Sequence, residues 1–224
     1  MILSAHQPTF MPWAGLFEKI ERADTLCLFD AVAAEDSGYE NRVQIKTAQG
    51  PQWLTVPIKR SRDLPLYKVE IANEHSWARK MVRSLEMNYA KAPYFEQYHG
   101  GIKGILETRY QYLADLDLAM LGYLMEALNI KTPIVRASEY AFEGTKSALV
   151  LDMCKQLGAT RYIFGSQGHA YADARAFAEA GIRIEFQDYQ CRPYRQQHGD
   201  FVGGLSVVDA LFNCGPGARK VVLG

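Results

Sequence analysis

The 224-residue chain lacks a charge of either sign to spare: 25 Lys and Arg face 25 Asp and Glu. That balance removes the general attraction toward nucleic acid or an anionic membrane surface, so neither is expected as a partner. Cysteine is scarce, at positions 27, 154, 191 and 214, with no CxxC spacing. A disulfide framework and a cysteine zinc site are thereby disfavoured. No positively charged segment precedes an apolar leader, and no long uninterrupted apolar run occurs, so the expectation is a cytoplasmic protein without a membrane span. The five histidines, 6, 75, 99, 169 and 198, form no HExxH or other close pair, and no metal ligand set is expected. GxxxxGK[ST], GxGxxG, GxSxG and HxGH are absent as well.

What is present is an ordinary apolar content, 48%, in a chain long enough for a large core. "MILSA" reads as a buried strand, Trp13, Leu16, Phe17 and Ile20 recur at helical spacing, and "TLCLFD" returns to a strand, which makes residues 1–30 a βαβ unit. Residues 40–75 form a β insertion. "NRVQIKTAQGPQWLTVPIK" suggests a hairpin over Arg42–Ile58 with a Gly-Pro turn and "QWLTVPI" in the core, and "LYKVEIA" suggests a further strand. Residues 76–130 are helical, starting at the Ser76 cap, with further segments over Phe95–Tyr110 and Ala114–Leu128. Residues 131–224 alternate again: strands at "PIVRA", "RYIFG" and "IRIEFQ", helices closed by Gly158 and Gly181, and a last short helix after a Ser206 cap. The expected fold is α/β, a mostly parallel Rossmann-like sheet with helices on both faces, carrying the hairpin and helical section as insertions in a single domain.

In such sheets ligands bind beyond the carboxyl ends of the strands. The loop "HQPTFMPW" sits there and carries His6, Gln7 and Trp13, while Pro8 and Pro12 stiffen it. Asp30 ends the second strand, and "GSQGHAYAD" brings Ser166, His169 and Tyr171 to another strand end, with glycines that let backbone approach a ligand. Each has a plain structural alternative: His6 and Gln7 as backbone caps, Trp13 as core, Ser166 and Asp173 as turn caps. Lys19, on the helix between the first two strands, reads as a solvated charge, and Asn41 and Arg42 enter the hairpin, where the guanidinium suits a phosphate or carboxylate. Cys154 reads as a core thiol, whereas Cys191 next to Arg192 is a conceivable nucleophile with His6 or His169. Asp209, in the first turn of the last-named helix, is accounted for by the helix dipole.

"HQPTFMPWAGLFEKIERAD", "NRVQIKT", "WLTVPI", "YAKAPYF", "LGATRYIFG" and "LSVVDALFNCG" together resemble the WbqC-like protein family, over nearly the whole chain. The resemblance is carried most specifically by the HQPxxxPWxG opening. It carries over His6, Gln7, Pro8, Pro12, Trp13, Gly15, Lys19, Asp30, Asn41, Arg42, Trp53, Thr55, Gly165, Asp209 and Asn213. The extra aromatic often found after Asp30 in that family is missing from "DAVAAEDSGYENR". The resemblance implies a bacterial protein of surface-glycan or specialised-metabolite biosynthesis.

Three functions follow as expectations. The first is a transferase moving an acyl or aminoacyl group to an amine of a sugar or small molecule, with His6 as general base, Asp30 orienting His6 or the substrate, and Gln7, Trp13, Lys19, Asn41, Arg42, Ser166, His169 and Tyr171 as substrate contacts. The second is a nucleotidyltransferase or adenylate-forming enzyme, the only reading that calls for Mg²⁺; no other cofactor is required. The third is a non-catalytic binder of a nucleotide-sugar or of a partner enzyme. Acyl-CoA, a carrier-bound acyl group or a nucleotide-sugar are the expected small-molecule partners, and an aromatic content of 12% leaves room for a homo-oligomer interface.

Overall fold

The computed structural model describes residues 1–34, 38–60 and 62–224. Five parallel strands make the main sheet: β1 (Ile2–His6), β2 (Thr25–Leu28), β5 (Ile134–Arg136), β6 (Arg161–Phe164) and β7 (Arg183–Phe186), in the order β5-β2-β1-β6-β7. A separate antiparallel hairpin joins β3 (Arg42–Thr47) to β4 (Gly50–Thr55). β1 occupies the middle. The chain first steps from it to β2, then leaves through the hairpin and returns as β5 on the far side of β2. It crosses afterwards to β6 on the other flank of β1, so the winding direction reverses between β1 and β6.

Alternate residues of the strands face two cores, as the pleat requires. Leu26 and Leu28 pack with Phe17 and Ile20 of helix α1 (Ala14–Glu21) and with Val208 and Leu211 of α7 (Val207–Cys214). Leu3, Cys27, Tyr162 and Phe164 pack on the other face, with Val150 and Met153 of α5 (Ser147–Gln156) and Phe177 of α6 (Ala174–Glu179). Each fully buried Phe or Ile side chain contributes about 1.5–3 kcal/mol, so both faces hold the sheet in place. The helical section, α2 (Trp77–Tyr89), α3 (Phe95–Glu107) and α4 (Leu113–Ala127), extends the first core, and α8 (Ala218–Leu223) lies against α1.

Three local expectations change. "LYKVEIA" is not a strand: Leu66–Lys68 form a 3-10 turn after Pro65, followed only by isolated bridges, Ile58 to Ile71 and Glu70 to Tyr112. With no continuous partner strand, its alternating pattern has nothing to pair with. Ser76 precedes α2 without capping it, because its side chain accepts no backbone hydrogen bond there. The hairpin turns at Ala48 and Gln49, and Gly50-Pro51 opens β4 instead; Gly50 has φ +103°, a conformation glycine adopts without strain. Ser206 does cap α7, its hydroxyl accepting from the Val208 amide at 3.3 Å.

A buried polar cluster joins the insertion to the sheet domain. The Tyr89 and Tyr194 hydroxyls donate to the two oxygens of fully buried Asp209, at 2.8 and 2.7 Å, and the Lys46 amide donates to Tyr89 Oη at 2.9 Å. The Lys46 ammonium donates to Gln196 Oε1 and to the Gly199 and Asp200 carbonyls. Lys46 thereby closes the 196–200 loop onto β3.

Candidate functional site

His6 is the last residue of the middle strand, beside the reversal point where ligands of open α/β sheets bind. Its Nδ1 lies 2.8 Å from the Gln7 carbonyl oxygen, with Thr9 Oγ1 at 3.4 Å. A carbonyl only accepts, so Nδ1 carries the proton and Nε2 keeps its lone pair. Among the described residues no protein group bonds Nε2, and the ring is partly accessible. Burial, and then the Lys19 cation, lower the imidazole to about 3 against the opposing pull of the Gln7 carbonyl, so His6 is neutral at physiological pH.

Lys19 is not the solvated charge expected. It is only 4% exposed, and its Nζ donates to the Ala5 carbonyl at 2.9 Å, one residue before His6. Among the described residues no carboxylate lies within ion-pair distance of it. Burial lowers its ammonium to about 8, against a raising contribution from Glu18. A buried cation without a counter-ion is a costly arrangement for folding alone. It is well suited to receive an anion.

The opening loop is held at several points. Phe10 and Met11 are fully buried, the Phe10 amide donates to the Tyr39 carbonyl, and the Val207 amide donates to the Pro12 carbonyl. Met11 has φ +44°, a strained value that only such anchoring maintains. Trp13 packs edge-on to Tyr189, and its indole lies where a Cβ on residue 15 would stand, 2.3 Å away; this is why the PWxG spacing ends in glycine. Past the end of the edge strand β7, Gln187 donates to the Gly15 carbonyl and to Glu18 Oε2, tying β7 to α1. Of Gln7, the main-chain carbonyl is engaged by His6 and Thr9 while the side chain makes no hydrogen bond among the described residues.

Asp30 does not orient His6. Its buried carboxylate accepts from Arg136 Nε at 2.8 Å and from the Ser138 amide and hydroxyl at 2.8 and 2.9 Å, while Arg136 also reaches Asp115. These bonds lock the carboxyl ends of β2 and β5 to the start of α4. Asp30→Asn is accordingly expected to cost roughly 2 kcal/mol in urea denaturation, through loss of a charge-assisted pair, and to leave the ligand response of the β1 site intact. A variant of unchanged stability that has lost that response would return Asp30 to the substrate.

The hairpin residues are occupied too. Asn41 Nδ2 donates to the Val56 carbonyl, and Arg42 Nε donates to the Gly38 carbonyl with its guanidinium 4.7 Å from the Trp53 ring centre. Trp53 is not core as expected, being 40% exposed; only Leu54 and Val56 of that run are buried. Residues 35–37 of the loop after Asp30, where the family aromatic is missing, lie outside the described residues.

Continuing the β1–β6 register brings the β6 loop level with His6. There Ser166 and His169 are exposed, His169 stacks on Phe186 with centroids 3.7 Å apart, and Tyr171 packs edge-on to Phe164. Gly168 meets the Phe164 side chain, so packing, not a ligand, requires that glycine. His6, Gln7 and Lys19 thus stand at the end of β1, and Ser166, His169 and Tyr171 in the loop after the adjacent β6, where the rings of His169 and Tyr171 pack on Phe186 and Phe164, on the sheet face opposite the α1 core. Asp30 stands apart on the β2 side, and Asn41 and Arg42 join the opening loop through Tyr39. No hydrogen bond links Cys191 to His6 or His169, and burial pushes the Cys154 thiol up to about 12, which leaves it inert. Among the described residues no group of three His, Cys, Asp or Glu is placed to hold a metal ion, and no helix is long and apolar enough to cross a membrane.

Sequence comparison places these residues in context. The chain matches the model of the WbqC-like protein family over residues 7–221. An uncharacterized protein of Mycobacterium tuberculosis, Rv1507c, is 32% identical over 212 residues, covering 93% of this chain and 92% of its own. No solved structure matches significantly.

Proposed function

The chain belongs to the WbqC-like protein family, and from that premise we propose that it transfers an acyl or aminoacyl group to an amine in surface-glycan or specialised-metabolite biosynthesis. The observation that carries this reading is the Nε2 of His6, without a protein partner among the described residues and with its tautomer fixed by the Gln7 carbonyl, beside a Lys19 ammonium that is bonded to the Ala5 carbonyl and has no carboxylate partner among those residues. In the proposed step the amine nitrogen attacks the acyl carbon, the new N–C bond forms, and His6 Nε2 takes the proton the amine sheds. The bond to the donor's thiol or phosphate breaks, and the same proton passes from His6 to that leaving group. Lys19 holds the donor's anionic group. Such an anion offsets the charge that depresses His6, so the base gains strength only when the donor is in place. Asp30 is a positioning residue in this scheme, keeping the β2 and β5 ends in register.

The depressed basicity of free His6 favours a second reading, a non-catalytic binder of a nucleotide-sugar in which Nε2 only accepts a hydrogen bond. Incubation with acyl-CoAs, aminoacyl donors and amino sugars, followed by mass spectrometry, separates the two. Transfer by the wild type that drops roughly a hundredfold or more in His6→Ala supports the first; full transfer activity in that variant would end it.

A further inference from the structure

The first carbonyl beyond the β1 ladder finds its partners among side chains. The ladder closes where the Phe29 amide donates to the His6 carbonyl, and the next carbonyl, that of Gln7, receives no backbone amide among the described residues. Pro8 follows it, brings no N–H of its own, and restricts Gln7 to extended backbone, which fixes the direction of that carbonyl. Two side chains meet it instead. His6 Nδ1 lies 2.8 Å from the carbonyl oxygen, and the Thr9 hydroxyl donates to the same oxygen at 3.1 Å. Thr9 Oγ1 also stands 3.4 Å from Nδ1, so the three groups form a closed triangle.

A hydroxyl has one proton to give. That of Thr9 goes to the Gln7 carbonyl, which leaves lone-pair density on the side of Oγ1 that faces the ring. Nδ1 is then flanked by two oxygens and no donor, a setting that only its N–H form satisfies. We propose that Thr9 is a positioning residue of the β1 site: its hydroxyl holds the Gln7 carbonyl on His6 Nδ1 and so keeps the Nε2 lone pair available to a substrate proton. The same two oxygens steady the imidazolium that forms when Nε2 takes that proton, because Nδ1–H becomes a charged donor. The loop does not depend on Thr9 for its anchoring, which comes from the Phe10 and Val207 amides. The effect on turnover rests on the transfer reading; the hold on the ring does not.

Ring ¹⁵N spectra of His6 at pH 7 and transfer kinetics test this on the wild type, Thr9→Val and Thr9→Ser. Valine keeps the branched shape and removes only the hydroxyl. Thr9→Val is expected to move the tautomer ratio about fivefold toward the Nε2–H form and to lower kcat by about the same factor at unchanged KM, the effect of one neutral hydrogen bond. Thr9→Ser should restore both. A displaced tautomer ratio in a protein that transfers no acyl group would support the hold on the ring and end the transfer reading alone. Wild-type nitrogen shifts in Thr9→Val, with stability alone reduced, would overturn the proposal and leave the hydroxyl as a turn cap. A change confined to KM, or a serine variant that fails to restore the ring, would overturn it as well.

Discussion

Asp209→Ala is expected to lose about 3–5 kcal/mol of stability, the cost of removing one member of a buried hydrogen-bonded cluster. Two tyrosine hydroxyls lose their acceptor at once, that of fully buried Tyr89 and that of half-buried Tyr194. Burial raises the carboxyl above its usual range while the Tyr194 and Tyr89 donors oppose that shift, so the group is held by its neighbours and has no solvent alternative. For a chain of this size the loss lowers Tm by roughly 10 °C. Tyr89→Phe, which removes one donor to Asp209 and the acceptor of the Lys46 amide, should cost about 2 kcal/mol by the same reasoning. Urea denaturation followed by circular dichroism checks both. Equal, small effects would mean that Asp209 is not the hub that joins the hairpin, α2 and α7.

The second large effect runs the other way. Lys19→Met is expected to stabilise the protein at pH 7 by about 2 kcal/mol: removing a buried ammonium held near 8 recovers ~3 kcal/mol, less ~1 kcal/mol for the lost bond to the Ala5 carbonyl. The pH dependence has a definite sign. Between about 8 and 10.5 the unfolded chain holds a proton on Lys19 that the folded chain has released, so wild-type stability attributable to this residue rises with pH across that window. The advantage of methionine is therefore complete below about 8 and fades as pH approaches 10.5. The same variant should lose the anion response of the site. Stabilisation with loss of binding is the signature of a charge retained for a ligand. A destabilised Lys19→Met would instead make the lysine a structural clamp.

Both residues show where reading the sequence succeeds and where it stops. Strands β1, β2, β5, β6 and β7 were legible from short apolar runs, two of them following helices closed at Gly158 and Gly181, and the strand-end loops followed from the α/β rule. Lys19 was misread although the signal was present: it falls three residues after Leu16 and one before Ile20, on the buried stripe of α1. Trp53 was misread in the same way, since alternation puts Leu54 and Val56 inward and Trp53 with Thr55 outward. Other features leave no local trace. That Arg136 and Ser138 occupy Asp30, or that Tyr89 and Tyr194 converge on Asp209, depends on contacts between segments 15 to 120 residues apart. The strand order and the reversal beside β1 belong to that class as well, because periodicity specifies which residues face a core and not which strands are neighbours.

The most direct test of the β1 site is the side-chain ¹⁵N spectrum of His6, titrated with and without acyl-CoA. The structure predicts a neutral ring protonated on Nδ1 at pH 7, taking its second proton only near pH 3, with an Nε2 resonance that moves when the donor is added and does not move in Lys19→Met. An ordinary titration near pH 6.5, with an Nε2 resonance indifferent to every donor, would contradict the account.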